Sequence, residues 1–492
     1  MAAQRSFLPV TATATGNHLV RGLGLLAATS ILISDVIGNG VFLKARVMIC
    51  NVGSPGMVIT VWIVAGLFSL AGGLIYAELA AMMPRTGGEY VFIREAYGRL
   101  WGFLYGWMRF FVAGSGGPAA IAVAFAIFFN VVTGGAIGIN YFKLDLGGYQ
   151  LAFSGVQIVA ITAVFVVTLI NCATISFSGR IATVFTALKI VLVAGVGVSA
   201  FLLARGDWTH FALSGISGTC EGVAPEARGG IAGFGAAMVG ALWAYNGWNE
   251  VTYVAGEVRS PQRNLPLALL GGISVVVVLY VFVNASYFYV LTPTEVAGVP
   301  LWSSAATEVL ERFLGHVATR VMAGVMVMSI SSTLLVAILV GARIPYAMAR
   351  DGLFFRYLAH ASPRTNVPVR ALLAQALWVS ILVLSGSFDT LTDYAMFAVL
   401  IFVALTASSI FIFRRRMPDA ERPYRTWGYP VVPLLFLVMA ALLIGNTFLA
   451  MPRQALAGLG LLALGLPFYW YWSRQNKLAL QKAQAGSERI VS

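Results

Sequence analysis

Two Asn-Gly pairs interrupt otherwise apolar stretches of this chain, in Val36-Ile37-Gly38-Asn39-Gly40-Val41-Phe42 and in Trp243-Ala244-Tyr245-Asn246-Gly247-Trp248-Asn249. Asn-Gly readily takes left-handed backbone angles, and in hydrocarbon such an unwinding leaves N–H and C=O groups that only a protein-lined cavity can accommodate. Half-helix ends there offer a positive dipole end to a carboxylate and carbonyl oxygens to a cation. A zwitterion such as an α-amino acid meets both. The plainer reading of Gly38, Gly40 and Gly247 is close helix packing; matched breaks at two places favour the cavity.

Four charges fall inside apolar stretches, Asp35, Arg109, Lys189 and Glu250, where each is costly without a partner or water. Lys189, in Phe185-Thr186-Ala187-Leu188-Lys189-Ile190, is the deepest, and its ammonium could stand where a metal cation would otherwise hold helices together; the alternative is a lysine reaching for an interface. Asp35, three residues before Gly38, could take a proton or pair with a cation, or serve as a local cap. Arg109 and Glu250 read as a structural ion pair. Trp243 and Tyr245 border the second break, and Trp243 is placed to close over a ligand as a gate; ordinary packing is the competing role. The turn Gly114-Ser115-Gly116-Gly117-Pro118 gives either close backbone approach to the same cavity or a kink.

The histidines argue by position. His18, His210, His316 and His360 all lie outside the apolar stretches, which speaks against intramembrane haem or a histidine-bound metal. No nucleophile sits with a positioned base. We therefore expect no catalytic residues, no metal and no cofactor.

These residues need elements to hold them. Twelve apolar stretches, each near the roughly 20 residues that span a bilayer, run over 19–43, 57–83, 101–132, 151–174, 181–204, 229–255, 266–291, 318–342, 368–385, 391–413, 431–450 and 454–472. The centres of the second five follow those of the first five by about 210 residues, the mark of a structural repeat. Five is odd, so the second copy is inverted. The expected organisation is an all-α membrane protein with a short N-terminal tail (1–18), one transmembrane domain (19–472, with repeats 19–204 and 229–413 and two added helices in 431–472) and a C-terminal tail (473–492). Helices one and six are the broken ones.

Composition agrees. Of 492 residues, 59% are hydrophobic and 10% charged, and the mean hydropathy is +0.84; soluble domains carry about 25% charged residues. The net charge of +13 sets orientation rather than attracting nucleic acid, because most Lys and Arg fall in loops that are cytoplasmic if the N-terminus is. The densest clusters, Arg343 to Arg370 and Arg414 to Arg425, suit anionic lipid headgroups. The first apolar stretch lacks a small-residue cleavage site, so no signal peptide is expected. Cys172 lies in an apolar stretch; Cys50 and Cys220 fall in loops on the outer side, and spacing alone does not establish whether they pair.

At these positions the chain resembles the amino acid/polyamine/organocation transporter superfamily, and more narrowly bacterial relatives of the L-type amino acid transporters. The likeness rests on Ile37 to Phe42, on Pro84-Arg85-Thr86-Gly87-Gly88-Glu89-Tyr90, on Trp243 to Asn249 leading to Glu257 and Pro261-Gln262-Arg263-Asn264-Leu265-Pro266, on Arg343 to Gly352, and on Glu421-Arg422-Pro423-Tyr424-Arg425 with Gly428-Tyr429-Pro430. It implies alternating access by a five-plus-five inverted repeat. It also implies a substrate site formed by Ile37, Gly38, Asn39, Gly40 and Val41 with Trp243, Ala244, Tyr245 and Asn246. There the N–H groups around Gly38 to Gly40 hold the carboxylate, and carbonyls near Trp243 to Tyr245 take the α-amino group. Lys189 matches the family's lysine in span five, which stands for sodium in sodium-independent members, and Trp243 its gating aromatic; Lys189 and Asp35 are taken as coupling residues.

Asn39 replaces the small residue usual between the two glycines, and Asp35 and Glu250 replace uncharged ones. Animal L-type transporters join a glycoprotein heavy chain through a cysteine after span three; residues 133–150 contain none, so no heavy chain is expected. The sequence thus reads as a sodium-independent permease of a bacterial cytoplasmic membrane for small or medium neutral L-amino acids, working by exchange or with protons. The rivals are a carrier of cationic amino acids or polyamines and a membrane amino-acid sensor that does not transport.

Overall fold

The computed structural model describes residues 19–38, 40–145, 150–215, 220–300, 303–386, 388–450 and 452–476. It is a bundle of helices. In chain order these are α1 (Leu25–Val36), α2 (Gly40–Val52), α3 (Pro55–Met82), α4 (Glu89–Tyr97), α5 (Arg99–Met108), α6 (Gly114–Val132), α7 (Gly155–Asn171), α8 (Ile175–Leu203), α9 (Gly230–Tyr245), α10 (Pro261–Val290), α11 (Pro293–Ala297), α12 (Ala305–Leu314), α13 (Ala318–Gly341), α14 (Arg343–Arg350), α15 (Val369–Ser385), α16 (Phe388–Arg416), α17 (Val431–Ala450) and α18 (Pro452–Ala463). Among the described residues, eight helices are long and apolar enough to cross a membrane, and the bent pair α1 and α2 makes a ninth; α7 and α15 are shorter apolar helices.

Both Asn-Gly sites break their helices. The axes of α1 and α2 differ by 44°, and α9 stops at Tyr245, followed by a turn and a 3-10 segment, Glu250–Glu257. Gly247, at φ +107°, takes a conformation that side-chain-bearing residues rarely adopt. Asn39 lies outside the described residues, as do the predicted N-terminal tail and residues 477–492.

Several boundaries differ from those expected. The first span does not stop at Leu43: α2 carries it to Val52, with Arg46 inside it donating through Nη2 to the Glu221 carbonyl at 2.6 Å. Residues 150–154 form a strand paired antiparallel with Asn140–Asp145, so the fourth apolar stretch becomes helical only at Gly155. There Ser154 and Gln157 make a capping box, which satisfies the first free N–H groups of the helix. Past Ala342 the chain stays helical through α14, placing Arg343 in the core rather than in a loop. The last helical stretch continues to Asn476. The Gly114 to Pro118 segment proves to follow a π-helical turn, Arg109–Ala113. A Cβ at Gly114 would lie 2.1 Å from the Arg109 carbonyl oxygen, so the wide turn requires glycine.

Packing sorts the helices by depth. α13 is nearly enclosed, with Leu334, Val336, Ile338 and Leu339 buried, whereas Leu435 and Leu449 on α17 face outward, Leu449 being 82% exposed. Exposed leucines of this kind suit lipid contact. α10 packs along α1, α3 and α8, and it holds the two breaks together from behind.

Cys50 and Cys220 are disulfide-bonded. The bond ties the end of α2 to the segment before α9, where Asn51 Nδ2 also donates to the Ala227 carbonyl at 2.6 Å.

Candidate functional site

The breaks meet around a cavity of about 450 Å³ whose wall includes Asp35, Gly38 and Gly40 from the first, Trp243, Ala244, Asn246 and Gly247 from the second, and Arg109, Glu250 and Thr333. Gly40 permits this approach: a Cβ there would lie 2.7 Å from the Ala244 Cβ. Of the other predicted binding residues, Ile37 and Val41 bury their side chains in the core. Tyr245 turns away to donate its hydroxyl to the Trp62 carbonyl at 3.1 Å.

Lys189 sits behind the first break, 1% exposed. Its ammonium donates to the carbonyls of Ser34 at 2.8 Å and Ile37 at 2.5 Å and to Thr333 Oγ1 at 2.8 Å. All three N–H donors of an ammonium are thereby used, and carbonyls released by the end of α1 receive a positive charge at the negative pole of that half-helix. Thr333 was not foreseen. The run of hydroxyls on apolar α13, Ser329, Ser331, Ser332 and Thr333, was the available sign; Ser332 is hydrogen-bonded to Ser34.

Tyr280 was also missed. Its hydroxyl lies 3.0 Å from both the Val36 and Ala244 carbonyls, so one group on α10 touches the last turn of each broken half. Nothing in the sequence distinguishes it from other tyrosines.

Arg109 and Glu250 form an ion pair, as read from the sequence, with the guanidinium 5.3 Å from the centre of the Tyr253 ring. On one side of this pair Glu89 is buried and accepts hydrogen bonds from Tyr105 at 2.6 Å, Tyr253 at 2.8 Å, Asn249 Nδ2 at 2.6 Å and Tyr76. On the other side, Trp243 is 37% exposed, with the Lys44 ammonium 4.6 Å from its ring centre, a cation–π distance. No cluster of His, Cys, Asp and Glu fit to hold a metal occurs among the described residues.

A lipid-facing bundle around a largely apolar cavity that holds Asp35, Arg109 and Glu250 between two broken helices defines a multi-pass membrane transporter. The chain belongs to the amino acid permease family, whose pattern matches residues 23–463. Similar proteins include the serine/threonine exchanger SteT of Bacillus subtilis (strain 168), 30% identical over 460 residues that cover 92% of this chain and 97% of the relative. The human b(0,+)-type amino acid transporter 1 is 28% identical over 455 residues, 92% of this chain and 88% of its own. The human large neutral amino acids transporter small subunit 2 is 27% identical over 473 residues, 94% and 83% respectively. The chain is a transporter, not an enzyme.

Proposed function

We propose that this protein is a sodium-independent permease that moves small or medium neutral L-amino acids across a cytoplasmic membrane by alternating access, as an exchanger or with protons. The observation that carries the reading is the Lys189 ammonium bound to the Ser34 and Ile37 carbonyls at the broken end of α1: a fixed cation occupies the place a mobile one would need. Twelve spans follow if α7, α15 and the broken pair of α9 with its 3-10 segment each cross the bilayer, giving a five-plus-five inverted repeat with α17 and α18 added.

The segment Gly38-Asn39-Gly40 is assigned the carboxylate cradle, and Gly40 opens α2, at a helix N-terminus where free N–H groups and the dipole favour an anion. Trp243 closes over the substrate, and Lys189 with Asp35 serves coupling. Arg109 on the wall and Lys44 over the Trp243 ring count against a cationic side chain. Asp35 and Glu250 on the same wall support the second reading, a carrier of cationic amino acids or polyamines.

Two independent features support the proposed orientation. The Cys50–Cys220 bridge lies at the Pro55 end of α3, and disulfides persist on the oxidising side of a membrane. Arg414 pairs with Glu78 at the other end of α3, at 2.7 Å and 2.9 Å, nearly the full helix away at about 1.5 Å per residue. The basic end is then cytoplasmic, with both termini. With no cysteine in residues 133–150, the protein works without a heavy chain.

Uptake of labelled alanine, leucine and arginine into proteoliposomes, empty or preloaded, with and without a proton gradient, tests the proposal. Preloading that accelerates alanine or leucine uptake identifies exchange; acceleration by an inward proton gradient into empty vesicles identifies symport. Uptake competed by arginine but by neither neutral amino acid favours the second reading, and binding without uptake a sensor.

A further inference from the structure

We propose, on the basis of the permease reading above, that Asp35 rather than the α9 carbonyls binds the substrate's α-ammonium group. Asp35 belongs to the last turn of α1 and lines the cavity. Its Oδ2 is buried and accepts no hydrogen bond. A Cβ at Gly247 would lie 3.0 Å from this oxygen, so the carboxylate rests against the bare backbone of the second break, between the two half-helices. The fixed positive groups near it make their hydrogen bonds elsewhere. Arg109 is paired with Glu250, and the Lys189 ammonium donates its hydrogens to Ser34, Ile37 and Thr333.

Two of the three expected alternative acceptors are engaged too. The Trp243 carbonyl receives the Asn246 N–H at 3.2 Å, and the Ala244 carbonyl receives the Tyr280 hydroxyl at 3.0 Å. Each keeps a second lone pair, but neither carries charge. Glu250, Arg109 and Lys189 all act on Asp35, yet its Oδ2 is left without a hydrogen bond, which is costly at membrane depth, and an ammonium supplies both positive charge and donors for a short, charge-assisted bond. The helix dipoles agree with this arrangement: the C-terminal end of α1 favours a cation and the N-terminal end of α2 an anion. A zwitterion therefore lies with its ammonium on Asp35 and its carboxylate toward Gly40, held by the two halves of the first span.

The experiment is binding and uptake of L-alanine, L-leucine and L-arginine by the full chain in proteoliposomes, as wild type, Asp35→Asn and Asp35→Glu, with each variant checked for a monodisperse profile. Asp35→Asn is expected to raise the Kd and KM for alanine and leucine at least tenfold, and Asp35→Glu, which keeps the charge but displaces it by a methylene, to fall between. A neutral variant within twofold of wild type overturns the assignment. So do equal losses in both variants, which would mark a purely structural carboxylate, or loss of arginine binding with alanine binding intact, which would place a side-chain cation there. Should Asp35→Asn fail to fold, Asp35→Glu decides: a raised KM supports the assignment and a wild-type KM overturns it. Wild type that binds none of the three amino acids would instead refute the permease reading itself.

Discussion

Gly40 and Ala244 touch across the centre of the bundle so closely that a Cβ added to Gly40 would lie 2.7 Å from the Ala244 Cβ and 3.1 Å from its Cα. The contact joins the first residue of α2 to the last turn of α9, so the two broken spans meet backbone to backbone at the cavity wall.

Gly40→Ala should separate them and lower alanine uptake at least tenfold, with overpacking costing about 1–3 kcal/mol. Gly40→Leu should abolish uptake. Because one methyl is added where another stands, Ala244→Gly should restore much of the activity in the Gly40→Ala background, and a double-mutant cycle on uptake checks the coupling. Additive losses would show that the contact is not the cause.

Lys189→Ala leaves the Thr333 hydroxyl, 3.0 Å from the Ser34 carbonyl and 3.3 Å from that of Ile37, to serve one of the two with its single hydrogen, and the other carbonyl is unmet at membrane depth at a cost of about 1–3 kcal/mol. We expect a lower melting temperature in detergent and no measurable uptake. Lys189→Gln keeps donors without charge and should recover stability before transport; recovery of both would make the lysine a hydrogen-bonding strut alone.

Tyr280→Phe removes one hydroxyl while keeping the ring against Trp62, 5.1 Å between centroids, and Tyr245, also 5.1 Å. Losing a hydrogen bond shared by Val36 and Ala244 should cost about 1 kcal/mol, roughly fivefold in an equilibrium. Uptake rates in the variant are expected to fall with little change in expression, and rates equal to wild type would count against a role in joining the breaks.

Glu257 and Arg343 make a two-pronged ion pair, 2.8 Å and 2.9 Å, with both side chains fully buried. Glu257→Gln leaves a buried guanidinium unpaired and should cost about 3–5 kcal/mol. The double variant Glu257→Gln, Arg343→Met should melt above the single one, since removing both charges is cheaper than leaving one.

Only Cys172 is unbonded among the three cysteines. Under denaturing conditions a maleimide-polymer reagent should therefore add once without reductant and three times after reduction. Three additions without reductant would disprove the bridge.

Much of this was legible in the chain. Low charge content placed it in a membrane, and the two Asn-Gly pairs marked the breaks, because a turn-forming dipeptide in an apolar run has no other accommodation in hydrocarbon. The positions of Asp35, Lys189, Arg109 and Glu250 were legible for the same reason: charge in an apolar span stands out. What those residues face was not. A helix turns about 100° per residue, and each break interrupts that turn, so the phase of α2 relative to α1 cannot be carried across from sequence. Hence Ile37, Val41 and Tyr245, adjacent to cavity residues in the chain, turn into the core, while Thr333 and Tyr280, some 140 and 90 residues from Lys189, close around the breaks. Residue types dictated that charged groups must meet within the membrane; the packing of α8, α10 and α13 against the broken ends decided that Lys189 would be spent on Ser34 and Ile37 and that Asp35 would line the cavity with its Oδ2 free of any hydrogen bond.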